Sequence, residues 1–456
     1  MFERISNYFR QRFGTNPEDT EAPADDRVNA NPRFSDDSPR SRHTSPPAGH
    51  RPVAISSAQG RVYEQLRSAS SMFTAGYRQE TIPFFESTLN NPAADAAART
   101  VASCLLGEAF RGTGNFGKAQ QYYELAIRES DTIPESMQGL NEFVRHYRPR
   151  AFCGLLTVYR RTLFDDHEKI KSLIREIKSD FNIFPIEDLP AQVSLMEGLY
   201  LRQLGDIQGS ISCISEGLES IRSAAKSSSY FLFLHPEHFE ALLLVSHLCA
   251  PGNNFHVRKL SREIMQANRG PWSLAFAAAA QLHLHLRQAA DGEFSNFSAN
   301  EFGQENEKVS ELIAKLQKNA RFEQDPLLLT ECTMLSLIWY LLMEDFVPAR
   351  RELNTLKKIL PDCAQPMVLL RAVEIGALRR ELELAGLIPD PGVEDILSLG
   401  RNALTELAKP LESYGCSDVL LQNWKTLLGG EQAGAGFLLD RWASEELIAL
   451  RSRVWP

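Results

Sequence analysis

Residues 100–133 carry the sequence TVASCLLGEAFRGTGNFGKAQQYYELAIRESDTI, and this stretch decides the fold. Its apolar and small side chains recur at the spacing of a helix on both sides of the turn-forming letters Gly114-Asn115-Phe116. Helical periodicity continues from Ser57 onward, and no segment shows the alternation that is typical of a strand. The sequence therefore predicts an all-α protein.

The stretch resembles one tetratricopeptide repeat, a unit of two antiparallel helices. The positions that carry the resemblance are Leu106, Gly107, Phe110, Ala119, Tyr123 and Ala126. In such a repeat Gly107 and Ala119 would lie where the two helices approach closely, and Phe110 and Tyr123 would fill the space around them. The resemblance also implies that each helix pair stacks on its neighbours, because a single pair cannot bury its own apolar faces.

Weaker matches to the repeat cover residues 61–92, 191–224 and 330–363. Their matching positions include Gly198, Gly205, Tyr340, Ala349 and Pro361. The tryptophan of the ideal repeat is absent, since its place is taken by Ser103, Ser194 and Thr333. The resemblance implies a right-handed α-solenoid of tetratricopeptide-like hairpins over residues 58–365, with the helices of residues 366–456 as a C-terminal cap. Further helices are predicted at residues 151–178, 235–268, 271–286, 395–408, 417–428 and 436–454, and a loop at 291–303.

Residues 1–57 differ in composition from the rest of the chain. After a short helical start they are rich in Pro, Ser, Asp and Arg, with almost no aliphatic residues, which predicts a disordered tail. Ser38-Pro39 and Ser45-Pro46 match proline-directed phosphorylation sites, although such dipeptides are common in any disordered tail. The apolar residues of the helical start, Phe2, Ile5, Phe9 and Phe13, recur at helical spacing and predict an amphipathic helix that orders on binding.

Overall composition narrows the classes of function. The net charge of −9 and the pI near 5.7 argue against nucleic acid as the main ligand. No uninterrupted apolar run has the ~20 residues that a membrane-spanning helix needs. The seven cysteines are widely spaced without a CxxC pair, which predicts a reduced, cytoplasmic protein without disulfides or structural zinc.

No motif in the sequence predicts catalysis, a cofactor or a metal. Residues 112–118 match the GxxxxGK start of a phosphate-binding loop, but Ala119 replaces the required Ser or Thr and the preceding segment is helical. His235, His238, His283 and His285 lack the HEXXH spacing of a zinc site. The chain is therefore predicted not to be an enzyme, and the alternative is an active site in the less regular region 230–300.

Several arginines are candidates for binding an acidic partner, because a guanidinium pairs with a carboxylate through two parallel hydrogen bonds. They are Arg148, Arg150, Arg160 and Arg161 in the densest basic segment, and Arg111 and Arg202 on the predicted groove face of their repeats. A solvated turn is the alternative for the basic segment. The positions of the clamp asparagine that some family members use for chaperone tails hold Glu108 and Leu199, which argues against that ligand. Met334, Ile338 and Leu341 form an apolar face, which either receives an apolar peptide or helix or is covered by the superhelix itself.

Together these features predict a non-catalytic scaffold or adaptor subunit of an intracellular multiprotein complex, with other proteins as partners. A membrane-peripheral trafficking or tethering factor, anchored through residues 2–13, is the second hypothesis. An enzyme is the third.

Overall fold

The computed structural model describes residues 57–74, 77–133, 142–164, 166–183, 188–227, 235–267, 269–290, 299–323, 325–388, 391–429 and 445–455. All of them belong to one unit, residues 55–456. Within these ranges the protein is helical and contains no strand, which confirms the predicted all-α class. The N-terminal segment, with Phe2, Phe9, Phe13, Ser38 and Ser45, lies outside the described residues.

The described residues form 19 α-helices. The first ten are α1 (Ser57–Thr74), α2 (Arg78–Asn90), α3 (Ala96–Gly112), α4 (Phe116–Asp131), α5 (Glu142–Arg161), α6 (His167–Ile183), α7 (Leu189–Gln203), α8 (Ile207–Ser227), α9 (Pro236–Cys249) and α10 (Asn254–Gln266). The others are α11 (Pro271–Ala290), α12 (Ala299–Glu323), α13 (Pro326–Leu342), α14 (Phe346–Ile359), α15 (Gln365–Ala377), α16 (Arg379–Leu384), α17 (Pro391–Ser413), α18 (Asp418–Gly429) and α19 (Glu445–Val454). The predicted loop at 291–303 is partly wrong, because α12 already begins at Ala299.

Up to α14, each odd-numbered helix packs against the even-numbered helix that follows it, and α15 packs against α17. Each odd-numbered helix also contacts the next odd-numbered one, in two series: α1, α3, α5 and α7 form the first, and α9, α11, α13 and α15 form the second. Contacts between α8 and α9 join the two series. The apolar side chains of both series belong to one continuous core.

Helices α3 and α4 approach each other closely at Gly107 and Tyr123. A Cβ atom on Gly107 would lie 2.6 Å from the ring of Tyr123, which is closer than real Cβ contacts allow. Tyr123 and Ala119 are fully buried. The side chain of Asn115 begins α4 by accepting a hydrogen bond from the backbone N–H of Lys118 at 3.2 Å.

One type of turn recurs where the sequence matches the repeat. Gly114, Gly205 and Glu344 end their helices with positive φ angles of 79°, 89° and 56°. In each turn the next residue donates its N–H to the carbonyl five residues earlier, at 2.9 Å: Asn115 to Phe110, Asp206 to Leu201 and Asp345 to Tyr340. This hydrogen bond satisfies a carbonyl that the end of a helix leaves free. The GxxxxGK letters of residues 112–118 span one of these turns, after a helix and not after a strand.

Overpacking the crossing of α3 and α4 should destabilise the protein. We expect Ala119→Leu to lower the free energy of unfolding by about 1–3 kcal/mol, because Ala119 is fully buried and the larger side chain would overpack its surroundings. Urea denaturation followed by circular dichroism measures the change. Ala314→Leu, at an exposed position of α12, is the matched control. Equal denaturation midpoints for the wild type and Ala119→Leu would contradict the proposed close approach.

Distant parts of the chain also touch. The hydroxyl group of Tyr414, just after α17, donates to the carbonyl of Phe164 at 3.0 Å. His167, at the start of α6, lies 3.0 Å from the hydroxyl of Ser413. On α5, Arg161 lies 3.9 Å from Asp325, which caps α13. Helices α13 and α17 therefore contact the turn between α5 and α6, although they lie far from it in the sequence.

The last helix departs from the end cap that the resemblance implies. Helices α15, α17 and α18 pack on one another and α17 also contacts α14, so they continue the array. In contrast, α19 packs against α7, α9 and α15, helices that lie far apart in the sequence. It therefore occupies an internal position among the odd-numbered helices.

Candidate functional site at the C-terminal helix

The contact surface of α19 contains the largest network of buried charged side chains in the described residues. Helix α19 is amphipathic in its first turns, and its apolar residues Leu447, Leu450, Val454 and the following Trp455 are all buried. Its last turn carries Arg451 and Arg453, and the negative end of the helix dipole stabilises their positive charges. Both arginines are buried as well, so their charges need partners inside the protein.

Glu374 of α15 joins α19 to the array. Both Nε and Nη2 of Arg451 donate to its Oε1, at 2.9 and 2.7 Å. Its other oxygen, Oε2, accepts a hydrogen bond of 2.6 Å from Nη1 of Arg371, one turn earlier on α15. Because Glu374 is 1% exposed, both ion pairs are shielded from water.

Glu331 of α13 is the second carboxylate of the cluster. It lies 2.6 Å from Nε2 of His283 on α11, and it accepts a 3.1 Å hydrogen bond from the indole Nε1 of Trp455. Nη2 of Arg371 donates to it from α15. We call Glu331, Glu374, Arg371, Arg451, His283 and Trp455 the α19 clamp; they belong to α11, α13, α15 and the C-terminal segment.

The charges of the α19 clamp balance. Burial lowers the pKa of His283 to about 4, although Glu331 opposes the shift, so the imidazole is neutral at neutral pH. Burial by itself would raise the pKa of Glu331, but Arg371 and His283 outweigh it and hold that pKa well below its ordinary value. The ionised Glu331 therefore accepts a hydrogen bond from the N–H at Nε2 of His283. With a neutral histidine, the carboxylates of Glu331 and Glu374 face the guanidiniums of Arg371 and Arg451.

The end of α19 is also held through its backbone. Nη2 of Arg202 on α7 donates to the carbonyl of Trp455 at 2.8 Å. Nε2 of Gln203 donates to the carbonyls of Arg453 and Arg160, at 2.9 and 2.8 Å. These contacts depend on the position of the main chain, whereas the α19 clamp depends on the identity of Arg451 and Trp455. Together they fix one register of the helix, because charged hydrogen bonds require defined distances and directions.

The arginines predicted to bind a partner are engaged within the protein. Nη2 of Arg111 donates to Glu108 at 2.8 Å, and Nε of Arg150 lies 3.6 Å from the same carboxylate. Burial alone would raise the pKa of Glu108, but the two arginines lower it to about 2. Arg148 donates to Ser130 at 2.6 Å and pairs with Asp131.

Three other arginines that the sequence suggested for partner binding, Arg160, Arg161 and Arg202, are also unavailable to a partner. Arg161 pairs with Asp325 across the closure of the array. Arg160 and Arg202 are 2% and 0% exposed, so neither is accessible to a partner in this conformation.

The apolar face of α13 is covered as well. Met334, Ile338 and Leu341 are 1%, 0% and 7% exposed, and they belong to the continuous core. Of the two alternatives for this face, the structure shows the one in which the protein's own helices cover it.

Sequence reasoning missed every member of the α19 clamp, since His283 was considered only as a metal ligand and set aside. A signal was present, however: Glu331 is the only charged residue of the helix PLLLTECTMLSLIWYLL, and Arg371 and Glu374 lie alone in QPMVLLRAVEIGA. A charge in the middle of such an apolar helix is buried on every side, so it requires a partner of opposite charge.

The other candidate sites have fewer polar groups in contact with one another. A small open pocket lies between the α3–α4 turn and the start of α13, lined by Phe116, Arg161, Asp325 and Met367 among others. In the region 230–300, burial lowers the pKa of His238 and of His247 to about 4. The described residues contain no group of three or more His, Cys, Asp or Glu side chains placed to hold a metal ion.

None of the described helices combines the length and the apolar character required to cross a bilayer. Comparison of the chain with protein-family models gave no match, and neither did comparison with curated proteins.

Proposed function

We propose that the protein is a non-catalytic scaffold or adaptor subunit of an intracellular multiprotein complex, and that its helix pairs form a right-handed, tetratricopeptide-like solenoid. The observation that carries the proposal is the seat of α19. The odd-numbered helices hold an amphipathic helix in one register, through an apolar face and through the α19 clamp. A surface that recognises a helix in this way uses the chemistry by which helical arrays bind partner segments.

Two features support a role in assembly over a role in catalysis. The polar groups of the α19 clamp form hydrogen bonds with one another, so they hold a helix and do not converge on an open space. The predicted repeats also leave the outer faces of the even-numbered helices free, and some of these carry exposed apolar residues such as Phe84 of α2 and Val347 of α14. Exposed apolar side chains beside polar ones are typical of surfaces for transient protein contacts.

Affinity purification of the tagged full-length chain under native conditions tests the proposal. We expect a reproducible set of partner proteins at fixed stoichiometry, and a complex of the same composition when purified components are mixed and analysed by ultracentrifugation. Cross-linking with mass spectrometry then locates the partner on the array. A chain that is recovered alone, and that sediments as a lone species with every candidate, would contradict the scaffold proposal.

The second candidate is a membrane-peripheral factor anchored by residues 2–13. It is favoured by the stripe of Phe2, Ile5, Phe9 and Phe13 beside basic residues, a pattern suited to the surface of an anionic membrane.

Removing the amphipathic stripe should separate binding from stability. We expect deletion of residues 1–15 to leave the melting temperature nearly unchanged and to weaken flotation with anionic vesicles or recovery of partners, because the stripe is joined to the helical unit by a long polar segment. The matched control is the pair of polar-face substitutions Asn7→Ala and Gln11→Ala. If the deletion lowers the melting temperature and leaves every association intact, the stripe belongs to the folded unit.

A further inference from the structure

A second cluster of buried charge lies beside the end of α19, and it differs from the α19 clamp. Arg160 is the penultimate residue of α5 and Arg202 the penultimate residue of α7. Their side chains are 2% and 0% exposed. Gln203 links the two positions to α19, because its amide donates to the carbonyls of both Arg160 and Arg453.

The guanidiniums of Arg160 and Arg202 have more donors than the protein satisfies. Within the described part of the chain, Nε and Nη1 of both residues are buried without a hydrogen-bond partner. Three carbonyls of this region already accept a hydrogen bond: that of Trp455 from Arg202, that of Tyr414 from Arg453, and that of Phe164 from Tyr414. In the side-chain amide of Gln203, Nε2 donates hydrogen bonds and Oε1, an acceptor, has no partner in the described residues. The unmet groups are therefore mainly donors.

Among the residues that the structure describes, no carboxylate compensates these two charges. Arg202 and Arg161 repel the charge of Arg160, and the groups that favour a charge are only the phenol of Tyr414 for Arg160 and the thiol of Cys249 for Arg202. Burial lowers the pKa of both arginines, that of Arg202 to about 10, so Arg202 still carries its charge at neutral pH. By contrast, Arg371 and Arg451 each pair with a glutamate, and Arg161 has Asp325.

The helix ends offset only part of this charge. Arg160 and Arg202 lie in the last turns of α5 and α7, where the partial negative charge of a helix stabilises a cation. That effect is smaller than the cost of taking an unpaired ion out of water. A bridging water would accept hydrogen bonds but would leave both positive charges uncompensated. A ligand that accepts hydrogen bonds and carries negative charge meets both needs.

We propose that Arg160 and Arg202 together bind a small free oxyanion, of the size of inorganic phosphate or of a short carboxylate, between α5, α7 and the end of α19. Because both side chains are buried, the anion is a free molecule that the chain encloses on folding and not a group on another macromolecule. The bound anion stabilises the closure of the array, since Arg202 also holds the carbonyl of Trp455. This site is independent of the proposed scaffold function.

Denaturation of the full-length protein at constant ionic strength tests the site. Chloride is the reference, and phosphate and acetate are added in separate arms at low millimolar concentration, where general salt effects on stability are small. Above the dissociation constant, we expect each tenfold increase in the free concentration of the anion that binds to lower the unfolding equilibrium constant tenfold. A response to phosphate alone assigns a tetrahedral oxyanion, and a response to acetate assigns a carboxylate. Identical urea midpoints in all arms would overturn the proposal.

Variants confine the response to the two arginines. We expect Arg160→Met/Arg202→Met to lose it, and the control Arg350→Met, at an exposed arginine of α14, to keep it. If the double variant does not fold, Arg202→Lys provides the same comparison, because lysine keeps the charge but not the planar fork. A second measurement is the anion released when the purified, desalted protein is denatured, for which we expect one equivalent per chain. An anion response that persists in the Met variants would show that the anion binds elsewhere.

Discussion

The substitution Glu374→Gln is expected to lower the free energy of unfolding by about 3–5 kcal/mol. Glutamine has the shape of glutamate but not its charge, so the variant leaves Arg371 and Arg451 buried with one carboxylate between them instead of two. The cost arises because an unpaired guanidinium cannot regain its hydration inside the protein. Chemical denaturation at neutral pH, followed by circular dichroism, measures the difference.

The same substitution on the surface is the matched control. Glu383 forms an ion pair with Arg379 at 3.1 Å, one helical turn apart on the exposed side of α16. We expect Glu383→Gln to cost only about 0–1 kcal/mol, because water and salt screen an exposed pair. Equal costs for the two variants would mean that Glu374 is hydrated and that α19 is not seated as described.

The substitution Trp455→Ala is expected to cost about 3–5 kcal/mol. The indole is 2% exposed and packs edge to face against His283 and Phe276, at ring distances of 5.3 and 6.2 Å, so its removal leaves a cavity. The loss also removes the hydrogen bond to Glu331. Because both effects act on the seat of α19, that helix should be released before the rest of the array unfolds.

Tryptic digestion under native conditions detects the release. Cleavage after Arg451 and Arg453, which are 4% and 7% exposed, requires α19 to leave its seat. We expect rapid cleavage in Trp455→Ala and slow cleavage in Phe255→Ala, which removes an aromatic ring that is 71% exposed. Trp455→Phe keeps most of the packing and loses the indole N–H, so an intermediate rate would separate the two contributions. Protection of both arginines in Trp455→Ala would show that the indole does not anchor the helix.

The two variants differ in what they remove but share one structural element. Glu374→Gln removes a charge from α15, whereas Trp455→Ala removes apolar area and one donor from the C-terminal segment. Their effects should be non-additive, since Glu374 and Trp455 are linked through Arg371 and Glu331. A double variant that costs the full sum would show that the α19 clamp consists of two independent contacts.

Local chemistry made the helices and their turns predictable. Helical spacing of apolar residues located the elements, because that spacing places side chains on one face of a helix whatever surrounds it. The small residue Gly107 opposite Tyr123 indicated a close crossing, and the structure places the two in contact. Gly114 and Gly205 marked turns because a positive φ is easily reached only without a Cβ atom. These properties depend on residues within one or two turns of one another.

Only the tertiary structure decided which charged residues meet. Arg451 lies 77 positions from Glu374, Arg202 lies 253 from Trp455, and Tyr414 lies 250 from Phe164. Periodicity shows the face on which a residue lies but not the helix that this face will contact. The arginines chosen from the sequence as partner sites were basic residues in a surface-like pattern, yet Arg160 and Arg202 are buried where α5, α7 and α19 meet. The sequence by itself determined the helices, their turns and the all-α class, because neighbouring residues fix those. The internal seat of α19, its clamp and the uncompensated arginines depend on contacts between helices that lie far apart in the sequence, and periodicity does not predict those contacts.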